Sequence, residues 1–411
     1  MNVRIPVRPI LTAMRSHRAA VALLVVQIAL TLAVLCNLVF IIRGTAERVE
    51  VSTGVDEANI AVIQSIGVVG ADNPGTVGKS LAALKNVPGV QSAAFGAPPL
   101  WRPTLSPIFI SPDAKEPIAQ AYQLAGSTGY SRVMGITVLE GSGIRSDETP
   151  SIVDIIGNKE GRIQLPALLT PSLAARLFPD TSVVGKTLYG NIWGIPIRLR
   201  IVGIMSPIRA VLTGRAEDAD AVLTEFQVSS DRLGGAYVLR STGGQMHSVL
   251  PIAVQAMQRT NPGQVLQDVK SVARLREEYF QSDRLTAKLM LTLVAVLLTV
   301  TALGMGGLAA FWVQQRTKQI GIRRALGATR ADILHYFQVE NFIIVTAGVI
   351  LGAFFAFALN AFLMKRFELQ RLEVSTVCIG MCMIWILGQL AILGPALRAA
   401  SIQPVVATRL G

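Results

Sequence analysis

The sequence is poor in the residues from which soluble active sites are usually built. Of 411 residues only three are histidine and three cysteine. His17, His247 and His335 share no His-x-x-x-His spacing, and no Cys-x-x-Cys pair occurs, so the common zinc-site patterns are excluded. A Gly-x-Ser-x-Gly nucleophile elbow is also missing. The stretch ADNPGTVGKS, 71–80, ends like a phosphate-binding loop, but Asn73 stands where that loop needs its first glycine. Read locally, Pro74 and Gly75 make a turn and Thr76 caps a short helix that stops at the Pro-Gly of 88–89. The chain is not expected to be an enzyme in its own right. Charge is scarce too, at 16% of residues with a mean hydropathy of +0.49, which excludes the two or three soluble domains that the length would otherwise suggest.

What the chain has instead is four long apolar runs, 19–42, 289–313, 342–364 and 374–397, none of which contains a charged residue. Each reaches the roughly 20 residues that a helix needs to cross a hydrocarbon core. One charge at mid-membrane would cost on the order of 3 kcal/mol. The first run exceeds the roughly 7–15 residues of a signal-peptide core and lacks a small-residue cleavage site, so it is expected to stay as an anchor. The expected fold class is an α-helical membrane protein with four transmembrane helices, one plus three, and a large α+β extracytoplasmic domain.

The expected order is an N-terminal segment 1–18, a first span 19–42, an outer domain with stalk 43–284, and a second span 285–313. A connecting segment 314–336, a third span 337–364, a short outer loop 365–373, a fourth span 374–397 and a tail 398–411 follow. Segments 1–18, 314–336 and the tail hold 11 basic residues against one acid, Asp332, so +10 of the formal +12 falls on one side. The positive-inside rule makes that side the cytoplasm and places both termini there. The outer region is nearly charge-balanced, which excludes nucleic acid as a partner. The lipid bilayer is the implied surroundings. All three cysteines, Cys36, Cys378 and Cys382, lie in spans, where the spacing of the last two reads as buried packing.

In the outer domain, Ile195, Ile197, Leu199 and Ile201 alternate with Arg198 and Arg200, the period of a half-buried strand. The stretches 171–178 and 252–260 read as helices stopped near Pro179 and at Asn261-Pro262. The segments nearest the two membrane ends are expected to pack together. APPLWRPTLSP, 97–107, reads as a stiff surface loop, with docking as the alternative because exposed Trp and Pro favour partners. Residues 269–290 carry neither Gly nor Pro and read as one helix prolonging the second span outward as a stalk. Gln27, Asn37, Asn360 and Gln389 are read as interhelical hydrogen-bonding groups. Gly304 and Gly307 on the second span, and Gly348 and Gly352 on the third, read as helix-packing positions.

The connecting segment is the most informative. Leu326-Gly327 reads as a helix end with Gly at C′, and Thr329 with Asp332 as a capping box that opens a second short helix. Arg323, Arg324 and Arg330 are expected exposed, and Ile320, Ala325, Ile333 and Leu334 packed.

Within it, RTKQIGIRRALGATRADILHYFQVE resembles the segment after the second span of FtsX/MacB-type ABC transporter permeases. YSRVMGITVLEGSGI, LAARLFPDTSVVGKTLYG and IRLRIVGIM resemble the MacB-like periplasmic core domain, and GPALRAASIQPVVATR the family's C-terminal segment. The resemblance implies a permease dimer, from two copies or with a paralogous permease, served by ABC ATPase subunits. Gly321, Arg323, Arg324, Ala325, Leu326, Gly327 and Ala328 would be the ATPase-coupling element. It implies no cofactor in this chain, with ATP and Mg in a separate partner ATPase. A periplasmic adaptor is a further expected partner, and the location is the bacterial inner membrane with the large domain periplasmic. The implied function is export or extraction of a peptide, lipoprotein or drug by mechanotransmission. The alternative is an FtsX-like signalling protein regulating a periplasmic cell-wall hydrolase. Glu340 falls on a frequent family glutamate, whereas Gln319 stands where the pattern has Glu.

Overall fold

The computed structural model describes residues 18–68, 75–157, 162–228, 235–367 and 371–401. They divide into two compact units, Met1–Ala46 with Asp283–Gly411, and Glu47–Ser282. In chain order, α1 (Arg18–Glu50) is followed by β1 (Ile60–Val68), α2 (Thr76–Lys85), β2 (Val90–Phe95), β3 (Thr104–Ile108) and β4 (Ala119–Ser127). Next come α3 (Tyr130–Met134), β5 (Val138–Gly141), α4 (Ile152–Gly157), β6 (Gln164–Leu169), α5 (Pro171–Leu177), β7 (Thr187–Ile192) and β8 (Ile195–Met205). The outer domain ends with β9 (Ala221–Phe226), β10 (Gly235–Ser241), α6 (Met246–Thr260), β11 (Gln264–Ser271) and α7 (Val272–Tyr279). The remainder is helical: α8 (Gln281–Gln315), α9 (Thr317–Ala325), α10 (Arg330–Phe367) and α11 (Val374–Ala400).

Helices α1, α8, α10 and α11 are long and apolar enough to cross a membrane. Their polar side chains hydrogen-bond across the bundle, as buried amides and hydroxyls must in a medium without water. Asn37 Nδ2 donates to Ala356 O at 3.1 Å, Asn341 Nδ2 to Gly388 O at 3.0 Å, and the Thr31 and Thr301 hydroxyls lie 2.9 Å apart. Asn360 Oδ1 accepts from the Leu372 amide at 2.9 Å. The expectation for Gln389 is corrected, since its buried Nε2 has no partner among the described residues. That for Cys378 and Cys382 is corrected as well: both are exposed, and only Cys36 is buried, against Gly380.

The outer domain is built on two sheets. A four-stranded antiparallel sheet runs β11-β1-β10-β2, so the strands nearest the two membrane ends pair directly. Alternation along β1 sends Ala61 and Ile63 toward a core shared with α2 and α6, and Ile60 and Val62 toward a second core shared with α3 and the other sheet. That sheet has seven strands in the order β3-β4-β9-β6-β8-β5, with β7 on β8, and mixes parallel with antiparallel pairs. Ile197, Leu199 and Ile201 of β8 are buried while Arg198 is exposed, which is the alternation read from the sequence.

Two local expectations need correction. Gly75, at φ 84°, and not Thr76, caps α2, because the entry turn needs a left-handed residue. The buried Ser80 hydroxyl donates to Gln264 Oε1 at 2.9 Å and accepts from Asn261 Nδ2 at 2.8 Å, so the Gly-Lys-Ser of 78–80 is helix interior rather than a phosphate loop. The turn expected at Pro74 lies outside the described residues. The segment 269–290 is not one helix: it ends β11, is capped by the Ser271 hydroxyl accepting from the Arg274 amide, forms α7, and breaks at Phe280 before α8.

Candidate functional site

The second and third membrane helices are joined by a helical hairpin, 316–332, whose corners are all tied locally. The Thr317 hydroxyl reaches back to the carbonyls of Val313 and Gln314, bridging the turn into α9. At the other end Gly327 takes φ 100°, which L side chains rarely adopt. Its N–H donates to Arg324 O and that of Ala328 to Arg323 O, both at 3.1 Å, the paired bonds of a Schellman cap. The Thr329 amide and hydroxyl donate to Asp332 Oδ2 at 2.9 and 2.7 Å, and the Asp332 amide donates to Thr329 Oγ1 at 3.2 Å. This is the capping box expected from sequence. The helix it opens is not short, because α10 runs on as the third membrane helix to Phe367.

Beneath the hairpin Ile320, Ile333 and Phe337 pack with Val313 and with Ala396, Ala399 and Ala400 of α11. The pair Arg316–Glu340 locks the corner, with Nη1 at 3.0 and 2.9 Å from the two carboxylate oxygens and both side chains largely buried. A charge in such a place is tolerable only when paired. Arg324 Nη1 donates to Ala400 O at 3.2 Å, and the Arg323 guanidinium lies 4.9 Å from the Tyr336 ring centre.

The outward surface is therefore apolar at its tip and basic beside it. Leu326 is 84% exposed and Ile322 50%, and Arg323, Ala325, Gly327 and Arg330 are exposed with them. Gly321 is buried and Ala328 half-buried. Two expectations are corrected: Ala325 is exposed, because α9 turns its 320–321 face to the bundle, and Arg324 is half-buried by its bond to α11. The Arg316–Glu340 pair was missed as a pair, since its members stand 24 residues apart on either side of a turn.

The four glycines singled out behave differently. A Cβ on Gly348 would lie 2.7 Å from Ile28 Cβ, and one on Gly352 2.9 Å from Ala29 O, so both let α10 approach α1 closely. Gly304 meets Gln27 at 2.9 Å, whereas Gly307 faces open space beside a groove between α8 and α11. The first three are packing glycines within this chain and Gly307 is not.

Four apolar helices in a one-plus-three order, interrupted by a two-sheet extracytoplasmic domain and carrying a capped hairpin after the second helix, define a polytopic membrane permease. The MacB-like periplasmic core domain matches residues 23–272 and the FtsX-like permease C-terminal domain residues 291–404. The chain belongs to the FtsX/MacB family of ABC transporter permeases. It is 26% identical over 253 residues to the macrolide export ATP-binding/permease protein MacB of Azoarcus sp., covering 60% of this chain and 38% of that protein. It is 25% identical over 264 residues to the ABC transporter permease YknZ of Bacillus subtilis, covering 62% of each. Against the pyoverdine export ATP-binding/permease protein PvdT of Pseudomonas aeruginosa the identity is 22% over 295 residues, 70% of this chain and 42% of that protein. The chain thus matches about two fifths of the length of the ATP-binding/permease relatives. The crystal structure of the extracellular domain of YknZ aligns over 50% of this chain and 100% of that domain, at 14% identity and a TM-score of 0.31.

Proposed function

We propose that this chain is the membrane subunit of an ABC assembly in which a separate ATPase binds and hydrolyses Mg-ATP. The hairpin 316–332 is its docking element, and closure of the ATPase moves the outer domain to export or extract a peptide, lipoprotein or drug. The observation that carries this reading is the hairpin itself. A 9-residue helix clamped at both ends exposes Ile322 and Leu326 with Arg323 alongside, an apolar anchor with a basic rim. Such anchors are where interface energy concentrates. The export names of MacB and PvdT favour cargo movement. The charge bias supports a cytoplasmic side for the hairpin and both termini, in a bacterial inner membrane. A second permease completes the assembly, with an adaptor as a further partner.

The test is co-purification from the native cell in mild detergent. Wild-type chain should recover a P-loop ATPase, whereas Ile322→Asp with Leu326→Asp should lower recovery by at least about tenfold, the loss of an apolar anchor, with membrane insertion unchanged. The charge reversal Arg323→Glu with Arg324→Glu should act in the same direction. Full recovery from both double variants would remove the hairpin from the interface. Gln319, exposed on the same helix, gives a gain-of-contact control: Gln319→Glu should strengthen ATPase retention, by a few-fold at most for an exposed ion pair.

A further inference from the structure

Within the outer domain a cleft of about 320 Å³ opens between the two sheets. That is at the small end of the roughly 300–1,000 Å³ typical of small-molecule sites. Its walls include Trp101, Trp193, Phe95 and Phe226, and the Trp193 ring packs edge-on against Phe226 at 5.7 Å. Among the described residues Arg102 is the only charged one lining it, and none of them brings a carboxylate to it.

The backbone around this cleft is held in conformations that folding alone disfavours. Among the described residues just three that are not glycine have a left-handed φ: Leu100 at 66°, Arg102 at 43° and Trp193 at 51°. All three lie on or beside the cleft. Arg102 precedes Pro103, and a residue before proline is normally pushed to extended backbone. Trp193 and Gly194 form the two-residue turn between β7 and β8, both at positive φ, which is a type I′ turn. That turn favours Asn or Gly at its first position, and a bulky aromatic there is strained. Strain of this kind costs on the order of 1–3 kcal/mol per residue and gathers where a ligand is clamped.

Gln123 Nε2, on one wall, donates to the Asn191 carbonyl, but other donors in the cleft are uncommitted. Among the described residues the Gln64 side-chain amide, the two indole N–H groups and the Arg102 guanidinium make no hydrogen bond or ion pair, and none of the residues lining the cleft is acidic. We propose that this cleft is a binding site for a small organic anion with an apolar or aromatic body, such as a hydrophobic carboxylic acid. The body lies between the Trp101 and Trp193 rings and the carboxylate pairs with Arg102. The strain at Trp193 and Arg102 is what presents an indole and a guanidinium to the same volume. The site rests on the export reading only for the role of its ligand as cargo.

The experiment uses the full chain in lipid nanodiscs, with no ATPase present, and two matched probes, N-acetyl-L-phenylalanine and its uncharged amide, followed by saturation-transfer NMR. The acid should bind saturably and at least about tenfold tighter than the amide, as expected for a charge-assisted contact. Arg102→Gln should bring that ratio close to one. Trp193→Asn, which places a favoured residue in the turn, and independently Trp101→Ala, should abolish binding of both probes with the domain still folded by circular dichroism. Equal affinity for acid and amide, absence of saturable binding, or unaltered binding in both tryptophan variants would overturn the proposal. Because no ATPase is needed, such a result would leave the co-purification outcome untouched, and loss of the docking reading would leave this titration untouched.

Discussion

Single residues in the outer domain carry unusual electrostatic weight because so few charges are buried. Glu225, 2% exposed, accepts from the Gly129 amide at 2.9 Å and from the Ser131 amide and hydroxyl at 2.8 and 2.7 Å, fixing the start of α3. Glu225→Ala strands those donors and should lower stability by about 1–3 kcal/mol in chemical denaturation. Asp220 is the opposite case. Burial pushes its carboxyl above the usual carboxylate range, while Arg176, 3.0 Å away, opposes the shift. A carboxyl raised in the folded state holds its proton more tightly there than in the unfolded chain. Its ionisation therefore removes stability as pH rises from the ordinary carboxylate range through the raised value. Asp220→Asn should flatten that part of the stability profile, measured by thermal melts from about pH 4 to 7.

At the scale of elements, the local signals were legible and, apart from the pairing of the outer domain's two ends, the long-range ones mostly were not. The Schellman glycine, the Thr329–Asp332 box and the period-2 face of β8 are written within a few residues, so sequence alone exposes them. Ser80 looked like half of a nucleotide motif because its partners, Gln264 and Asn261, lie more than 180 residues away. The Arg316–Glu340 lock and the strained Trp193 turn were equally hidden, since pairing across a hairpin and a positive φ at tryptophan leave no periodic mark. The exposure of Ala325 and of Cys378 and Cys382 follows from how helices rotate in the bundle, which an evenly apolar helix does not encode. The lock itself is open to measurement: Glu340→Gln leaves Arg316 buried without its counter-charge. It should cost about 3–5 kcal/mol of local stability, read as faster amide exchange across 316–325. Unchanged exchange would mean that the Schellman cap and the apolar seat hold the hairpin unaided.

For the whole molecule, the pairing of β1 with β11 means that the outer domain's first and last strands are neighbours. Arg276 adds a clasp at the same end, its guanidinium donating to Glu57 Oε1 and to the carbonyls of Val49 and Val51. A domain whose ends are closed in this way, with cores on both faces of one sheet, holds its own fold. Residues 47–282 expressed alone should therefore give a single cooperative melt, and Arg276→Ala should lower its midpoint. Among the membrane helices, α10 runs without a break for 38 residues, from the hairpin's capping box to Phe367. At about 1.5 Å per residue it is a rod of roughly 57 Å, nearly twice the thickness of the roughly 30 Å hydrocarbon layer. Gly348 and Gly352 seat it against α1 near its middle, which makes that crossing a fulcrum with arms of comparable length. A tilt of about 10° about such a pivot swings each end of a rod of that length sideways by about 5 Å, in opposite directions.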